Sequence, residues 1–169
     1  MTAIKAFDFV GCPSGGFVFG YMPEHKTYGW NGLPIKLQYG YEGPKGYGLL
    51  HVEGYSSRIK QLQGLNFGTF EAFAHSVATG YTHIYAAKDP NRFQLAYHQP
   101  GYSYYIVVQL CDDPLSWTIT TGLPSRPIKA NPLWIRKKGD ECEPSSTAPE
   151  PRSRFTTLSL PQKMGAQGQ

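Results

Sequence analysis

Four short segments between residues 82 and 123 carry the apolar patterns of β-strands, and they recur roughly every ten residues, a spacing typical of consecutive short strands. The segments are 82–87, 92–98, 103–110 and 116–123. Each gap between them is short and holds proline together with aspartate, asparagine or glycine, which favour tight turns. Because such short connections join antiparallel neighbours, the sequence predicts a four-stranded antiparallel β-meander.

Two helical patterns come before this meander. Over 49–63 the apolar residues recur at helical spacing, but Gly54-Tyr55-Ser56 can break the pattern. The segment can therefore form either one helix or two short helices. Over 67–78 a second pattern follows, with Thr69 as a suitable N-cap and Gly80 just past the end. Two helices packed on one face of the four-stranded meander predict an α+β layered fold.

The flanking regions differ in composition from this centre. Residues 1–32 are rich in glycine and tyrosine and contain short strand patterns at 4–10 and 17–19. From about residue 139 the chain is rich in serine, threonine and proline, and it cannot bury enough apolar surface to offset its ordering entropy. The predicted organisation is a β-rich N-terminal extension over 1–32, one α+β domain over 33–138 and a flexible tail over 139–169.

The composition restricts the class of protein. A chain of 169 residues suits one domain with tails, and a net charge of +4 slightly favours a polyanionic partner. The cysteines, Cys12, Cys111 and Cys142, are odd in number and have no Cys-x-x-Cys spacing, which argues against a disulfide framework and a zinc ribbon and favours a reducing cytoplasm. Neither a signal-peptide pattern nor an apolar run of membrane-spanning length is present, so we expect a cytoplasmic protein without a membrane segment. The five histidines lack close ligand pairs, so no metal and no cofactor are expected.

The meander is expected to have one apolar and one polar face. Arg92 and His98 share the polar face of one strand, and Thr118 and Thr120 share that of another. His51 begins a helical segment ahead of the sheet and can reach the rim of this face. The apolar set of the last strand is Trp117, Ile119, Thr121 and Leu123.

Such a polar face has the groups that cleave RNA. Histidine exchanges protons near neutral pH, while a guanidinium and hydroxyl donors stabilise the phosphorane formed when a 2′-hydroxyl attacks phosphate. A polar outer face is also what any antiparallel sheet shows to water. The pattern alone leaves both interpretations open.

Four segments carry a resemblance to a known family, with Lys129 and Leu133-Trp134 closing the similar region. The segments are Leu-Pro-Ile-Lys-Leu-Gln-Tyr-Gly at 33–40, Gly-Tyr-Gly-Leu-Leu-His-Val-Glu at 46–53, Arg-Phe-Gln-Leu at 92–95 and Trp-Thr-Ile-Thr-Thr at 117–121. Through them, residues 33–134 resemble the phage-type nucleases of the barnase–EndoU–colicin–RelE-like RNase superfamily. The resemblance implies an α+β RNase domain.

The resemblance also implies roles for individual residues. His51 corresponds to the first histidine of a helix that usually begins His-(Ile/Val)-x-x-x-His, Arg92 to a basic strand residue and Thr120 to a strand hydroxyl. The second histidine position is Ser56 in this chain, so His98 is the substitute candidate for the proton donor. The predicted catalytic set is His51, Arg92, Thr120 and His98, and the predicted substrate-binding set is Arg58, Thr118 and Lys129.

These residues predict a metal-independent endoribonuclease of the toxin or effector type. By resemblance its first candidate substrate is transfer RNA, and its partners are RNA and a cognate antitoxin or immunity protein. Delivery into a target cell would use specialised secretion or a phage.

Two alternatives are open. A non-catalytic binding module on the same fold, such as a virion or effector component or a host-protein inhibitor, is favoured by the tyrosine-rich first 48 residues and by the missing second histidine. An ADP-ribosyltransferase-like enzyme would need a glutamate after the strands, and no convincing one follows them.

Overall fold

A computed structural model describes residues 5–140. The elements in chain order are β1 (Gly20–Tyr21), β2 (Glu24–His25), a 3₁₀ turn (Lys26–Tyr28), β3 (Trp30–Asn31), β4 (Pro34–Leu37), α1 (Gly48–Glu53), α2 (Ser56–Gly64), α3 (Phe70–Gly80), β5 (His83–Ala86), β6 (Arg92–Gln99), β7 (Tyr102–Asp112), β8 (Leu115–Ser125) and β9 (Trp134–Ile135).

Seven of these strands form one curled, half-barrel sheet in the order β1-β4-β8-β7-β6-β5-β9, and β2 pairs with β3 in a separate two-stranded sheet. The predicted fold class, two helices on a four-stranded meander, is therefore wrong. Strands β5 to β8 do pair antiparallel in succession, but they are the middle of a larger sheet. Strand β4 extends it by pairing parallel with β8, a contact between segments far apart in the chain.

The helical pattern over 49–63 forms two short helices, α1 and α2, because the extended backbone of Tyr55 interrupts the helical geometry after Gly54. Thr69 caps α3 as predicted: its hydroxyl oxygen accepts a hydrogen bond from the Ala72 backbone N–H at 3.2 Å. Gly80 is the last residue of α3 rather than the first residue beyond it.

The hydrophobic core lies between α3 and one face of the sheet. Its fully buried members from these two layers include Phe73, Val77, Leu95, Ile106 and Ile119.

The N-terminal region belongs to this same core, since Phe19, Met22 and Trp30 are almost completely buried in it. A side chain at Gly20 would collide with the Ala78 carbonyl, so glycine is what lets β1 lie against α3.

Some predictions for the flanks differ from the structure. No strand forms among residues 5–10 or at 17–19: Phe9 makes only an isolated bridge to Gln38, and β1 begins at Gly20. The predicted tail lies outside the described residues except for Gly139 and Asp140. No helix between residues 5 and 140 is long and apolar enough to cross a membrane.

Candidate functional site

A cavity of about 380 Å³ lies between the loop at residues 40–47 and the sheet face opposite α3. The loop residues enclose one side, and the start of β6, the end of β7 and the middle of β8 form the other. We call it the loop–sheet cavity. Its lining residues are Phe7, Gln38, Tyr41, Lys45, Tyr47, Arg92, Gln109, Leu110, Cys111, Asp113, Thr118 and Thr120.

The loop is held in shape by a backbone bridge between Tyr41 and Tyr47, whose N–H and C=O groups exchange hydrogen bonds of 3.1 and 3.2 Å. Their rings meet edge to face with centroids 5.1 Å apart. Burial raises the pKa of Tyr47, so its hydroxyl keeps its proton at neutral pH and can donate a hydrogen bond. The loop therefore presents two ordered aromatic phenols to the cavity.

Two threonines of β8 line the cavity but differ in their hydrogen bonding. The Thr120 hydroxyl donates to the Val107 carbonyl at 3.2 Å. Thr118 is only 5% exposed, and its hydroxyl oxygen has no hydrogen-bond partner among the described residues. An unpaired buried hydroxyl costs about 1–3 kcal/mol, so a group that enters the cavity and bonds to Thr118 recovers part of this cost.

Arg92 is fixed at the edge of the cavity by two contacts. Its Nε–H donates to the Gln109 side-chain oxygen at 2.9 Å, and its terminal nitrogen forms a 2.9 Å ion pair with Asp89. Arg92 and Lys45 supply the cationic groups of the cavity lining, and Asp113 supplies the carboxylate.

His51 lies on α1, the helix that directly follows the same loop, and contacts the loop at Gly43. The first turn of α1 is fixed by the chain that follows β4, because the N–H groups of Leu49 and Leu50 donate to the carbonyls of Gln38 and Tyr39 at 3.0 and 2.9 Å. Gly48 begins the helix at φ 77°, and a side chain there would collide with the Gln38 carbonyl. This local geometry places His51 beside the loop.

The imidazole of His51 is buried and anchored at one nitrogen. Its Nδ1 lies 3.0 Å from the Gly43 carbonyl, which can only accept, so Nδ1 carries the proton and Nε2 holds a lone pair in the neutral ring. Burial lowers the pKa of His51; the Gly43 hydrogen bond opposes this effect and the Arg58 charge adds to it. His51 is therefore biased towards the neutral form that accepts a proton.

Arg58 links His51 to the sheet. Its guanidinium lies over the Tyr55 ring, 4.6 Å from the centroid, and Tyr55 meets the His51 ring edge to face at 5.3 Å. An Arg58 N–H also donates to the Thr121 hydroxyl at 3.1 Å. We call His51, Tyr55, Arg58 and Thr121 the His51 cluster.

A β-bulge places two adjacent hydroxyls in the two parts of the site. Val107 pairs with Thr121 but Val108 pairs with Ile119, which leaves Thr120 as the extra residue of β8. The prediction that Thr121 belongs to the apolar set is therefore wrong, because the bulge breaks the two-residue alternation. Thr120 lines the loop–sheet cavity, whereas Thr121 binds Arg58.

Five of the seven predicted site residues fall into two groups. Arg92, Thr118 and Thr120 come together in the loop–sheet cavity, and His51 and Arg58 lie in the His51 cluster. The two groups share the 40–47 loop and the β8 bulge. Lys129 lies between β8 and β9 and lines no part of the cavity.

His98 lies at the far end of β6, away from the cavity. Its Nε2 is 2.8 Å from the Tyr85 hydroxyl and its Nδ1 is 2.7 Å from the Ser103 hydroxyl. Ser103 is fully buried, and the His83 ring lies 4.5 Å from His98. Both nitrogens of His98 are thus engaged in a structural network.

The predicted site set contains neither Thr121 nor the loop residues Tyr41, Lys45 and Tyr47, although the tyrosine-rich first 48 residues favour a binding surface. The dense Gly-Tyr pattern around residues 39–48 was a usable signal for the loop, since ordered aromatic residues between glycines are common at binding sites. Thr121 offered no signal, because its role depends on the bulge.

Within residues 5–140, no group of three or more His, Cys, Asp or Glu side chains is arranged to hold a metal ion. Comparison of the chain with protein-family models, with curated proteins and with solved structures finds no match.

Proposed function

We propose that the protein is a metal-independent endoribonuclease in which His51 is the general base. The observation that carries the proposal is the state of the His51 ring: Nδ1 is held by the Gly43 carbonyl, Nε2 keeps its lone pair, and burial favours the neutral form. A base of this kind can remove a proton at neutral pH.

The reaction follows from the groups beside this base. His51 Nε2 takes the proton of a ribose 2′-hydroxyl, whose oxygen attacks the adjacent phosphorus. The guanidinium of Arg58, oriented by Tyr55 and Thr121, stabilises the negative charge of the phosphorane. The bond from phosphorus to the 5′-oxygen then breaks, and water protonates the leaving oxygen. The products are a 2′,3′-cyclic phosphate and a 5′-hydroxyl, and His51 returns its proton to solvent.

This mechanism changes two roles assigned from the sequence. Arg58 takes the charge-stabilising role, because it is the cation beside His51, whereas Arg92 is a binding residue in the cavity. His98 is replaced as proton donor by water, because both of its nitrogens are already hydrogen-bonded.

The resemblance to the RNase superfamily supports the wider setting. We propose transfer RNA as the first substrate to test, a toxin or effector role, and a cognate antitoxin or immunity protein as partner. The cytoplasm of the producing or target cell is the proposed place of action; the two described cysteines, Cys12 and Cys111, are free thiols.

The test is incubation of the purified chain with total RNA, with and without EDTA, followed by mapping of the new ends. We expect cleavage that persists in EDTA, leaves cyclic phosphate ends and is lost in His51→Ala. His75→Ala is the matched control, because His75 on α3 packs against Phe19 and belongs neither to the loop–sheet cavity nor to the His51 cluster. Cleavage that survives His51→Ala, or that EDTA abolishes, contradicts the proposal.

A second candidate function is that of a non-catalytic protein-binding module. Exposed aromatic side chains near the N-terminus favour it: Phe7 is 75% and Phe17 54% exposed, and aromatic surfaces suit protein recognition. Expression separates the two functions. A ribonuclease should slow the growth of its host, with growth restored by His51→Ala, whereas a binding module gives equal growth with both chains.

A further inference from the structure

We infer that the loop–sheet cavity binds one unpaired nucleotide of the RNA and so selects where the chain is cut. This inference rests on the proposed nuclease function and names the substrate feature that the same site recognises. It goes beyond the His51 cluster, because none of the cluster residues lines the cavity.

The size and lining of the cavity suit a nucleotide. A volume of about 380 Å³ is in the range of small-molecule pockets. Tyr41 and Tyr47 offer ring surfaces on which a base can stack, and Lys45 and Arg92 offer positive charge to a phosphate.

Unpaired polar groups give the cavity the capacity to bind a base edge. The Thr118 hydroxyl is buried, lines the cavity and has no partner in the described part of the chain. Gln109 also lines the cavity, and its side-chain oxygen accepts a hydrogen bond from Arg92, so its amide group remains a potential donor to a ligand. A nucleobase satisfies such groups through its own donors and acceptors, which an aliphatic ligand does not do.

The position of the cavity connects binding to cleavage. The loop that carries Tyr41, Lys45 and Tyr47 also provides the Gly43 carbonyl that anchors His51. The bulge joins Thr120 in the cavity to Thr121 beside Arg58. A nucleotide held in the cavity therefore directs its neighbouring phosphate towards the His51 cluster, and a base paired in a duplex cannot enter.

Calorimetric titration of the full chain with the four nucleoside 3′-monophosphates tests the inference. We expect at least one nucleotide to bind, its nucleoside to bind more weakly and inorganic phosphate to bind more weakly still. Thr118→Val should weaken nucleotide binding about 5- to 10-fold, the effect of one lost hydrogen bond to a buried group. Tyr41→Ala should weaken it by a similar factor and Tyr41→Phe much less, because stacking needs the ring and not the hydroxyl.

Lys45→Gln provides the charge test, with Lys60→Gln on α2 as its control, since Lys60 is exposed and lines no part of the cavity. Lys45→Gln should weaken nucleotide binding but leave nucleoside binding unchanged. The inference is overturned if phosphate alone binds as strongly as the nucleotide, or if Thr118→Val and Tyr41→Ala leave nucleotide binding unchanged.

Nucleotide binding can be measured independently of RNA cleavage, since a mononucleotide can bind without being cut. Nucleotide binding that depends on Thr118, in a chain that cleaves no RNA, supports the cavity and contradicts only the nuclease. Cleavage that depends on His51, in a chain that binds no mononucleotide and cuts duplex and unpaired RNA alike, overturns the nucleotide inference alone.

Discussion

His51 on α1 and His98 on strand β6 differ in how their ring nitrogens are used. His51 is anchored at Nδ1 only, so its second nitrogen is available to a substrate. His98 is bonded at both nitrogens, to Tyr85 and to Ser103. Both residues were predicted to be catalytic, and the difference between them is hydrogen-bond occupancy rather than residue type. A histidine with both nitrogens satisfied holds a structure together, whereas one with a free nitrogen can exchange a proton.

The largest expected effect separates these two histidines. His51→Gln should lower the rate of RNA cleavage about 10²–10⁴-fold, because it removes the general base. His98→Gln should cleave at close to the original rate but lower the free energy of unfolding by about 1–3 kcal/mol, because Tyr85 and Ser103 lose a partner. Single-turnover cleavage and urea denaturation of both variants measure these two effects. A large loss of cleavage rate in His98→Gln with an unchanged free energy of unfolding would contradict the structural role of His98.

A smaller effect on the cleavage rate is expected when Arg58, the cation beside His51, is replaced. Arg58→Gln should reduce the cleavage rate about 10²-fold, the usual effect of losing one charge-stabilising donor, with little change in KM. Arg58→Lys should recover part of the rate, since it keeps the charge but not the planar stack on Tyr55. Lys60→Gln on the same helix is the control. A change in KM alone would instead make Arg58 a binding residue.

Replacing the two cavity threonines should have different effects on the free energy of unfolding. Thr120→Val should lower the free energy of unfolding by about 1 kcal/mol, because the Val107 carbonyl loses its donor. Thr118→Val removes a buried hydroxyl that has no partner in the described chain, so it should leave that free energy unchanged or slightly higher. Chemical denaturation of the two variants and the original chain tests this, and equal losses in both would contradict the assigned hydrogen bonding.

The smallest expected effect is a shift in pH dependence. Burial and, to a lesser degree, Arg58 lower the pKa of His51, so cleavage should decline only at a pH below the usual histidine range. Arg58→Gln removes one of the lowering causes and should move this acid limb to higher pH.

The same shift has a stability consequence. The unfolded chain binds a proton at a pH where the folded chain does not, so the stabilisation from neutral His51 is full above the unfolded pKa of about 6.5 and is lost as the pH falls through the folded pKa. His51→Gln should flatten this part of the profile, measured as Tm against pH. Some of the pH dependence of Tm should remain in His51→Gln, because burial and the nearby His98 also lower the pKa of His83.

Local features of the fold were readable from the sequence. Turn residues and apolar alternation located β5 to β8, and the Thr69 cap located the start of α3, because these signals act between residues close in the chain. The sheet was predicted with too few strands, since neither the two-residue β1 nor the parallel pairing of β4 with β8 has a local pattern.

The candidate site likewise has some features that the sequence predicted and others that only the tertiary structure fixed. The sequence by itself determined that His51 would lie in a helix ahead of the antiparallel strands β5 to β8, and that Arg92, Thr118 and Thr120 would share their polar face. The tertiary structure alone decided that a bulge brings Thr121 to Arg58, that the 40–47 loop closes a cavity over Thr118, and that His98 is fully bonded. The reason is physical: periodicity and capping depend on neighbouring residues, whereas bulges, cavities and hydrogen-bond occupancy depend on which distant segments the chain brings together.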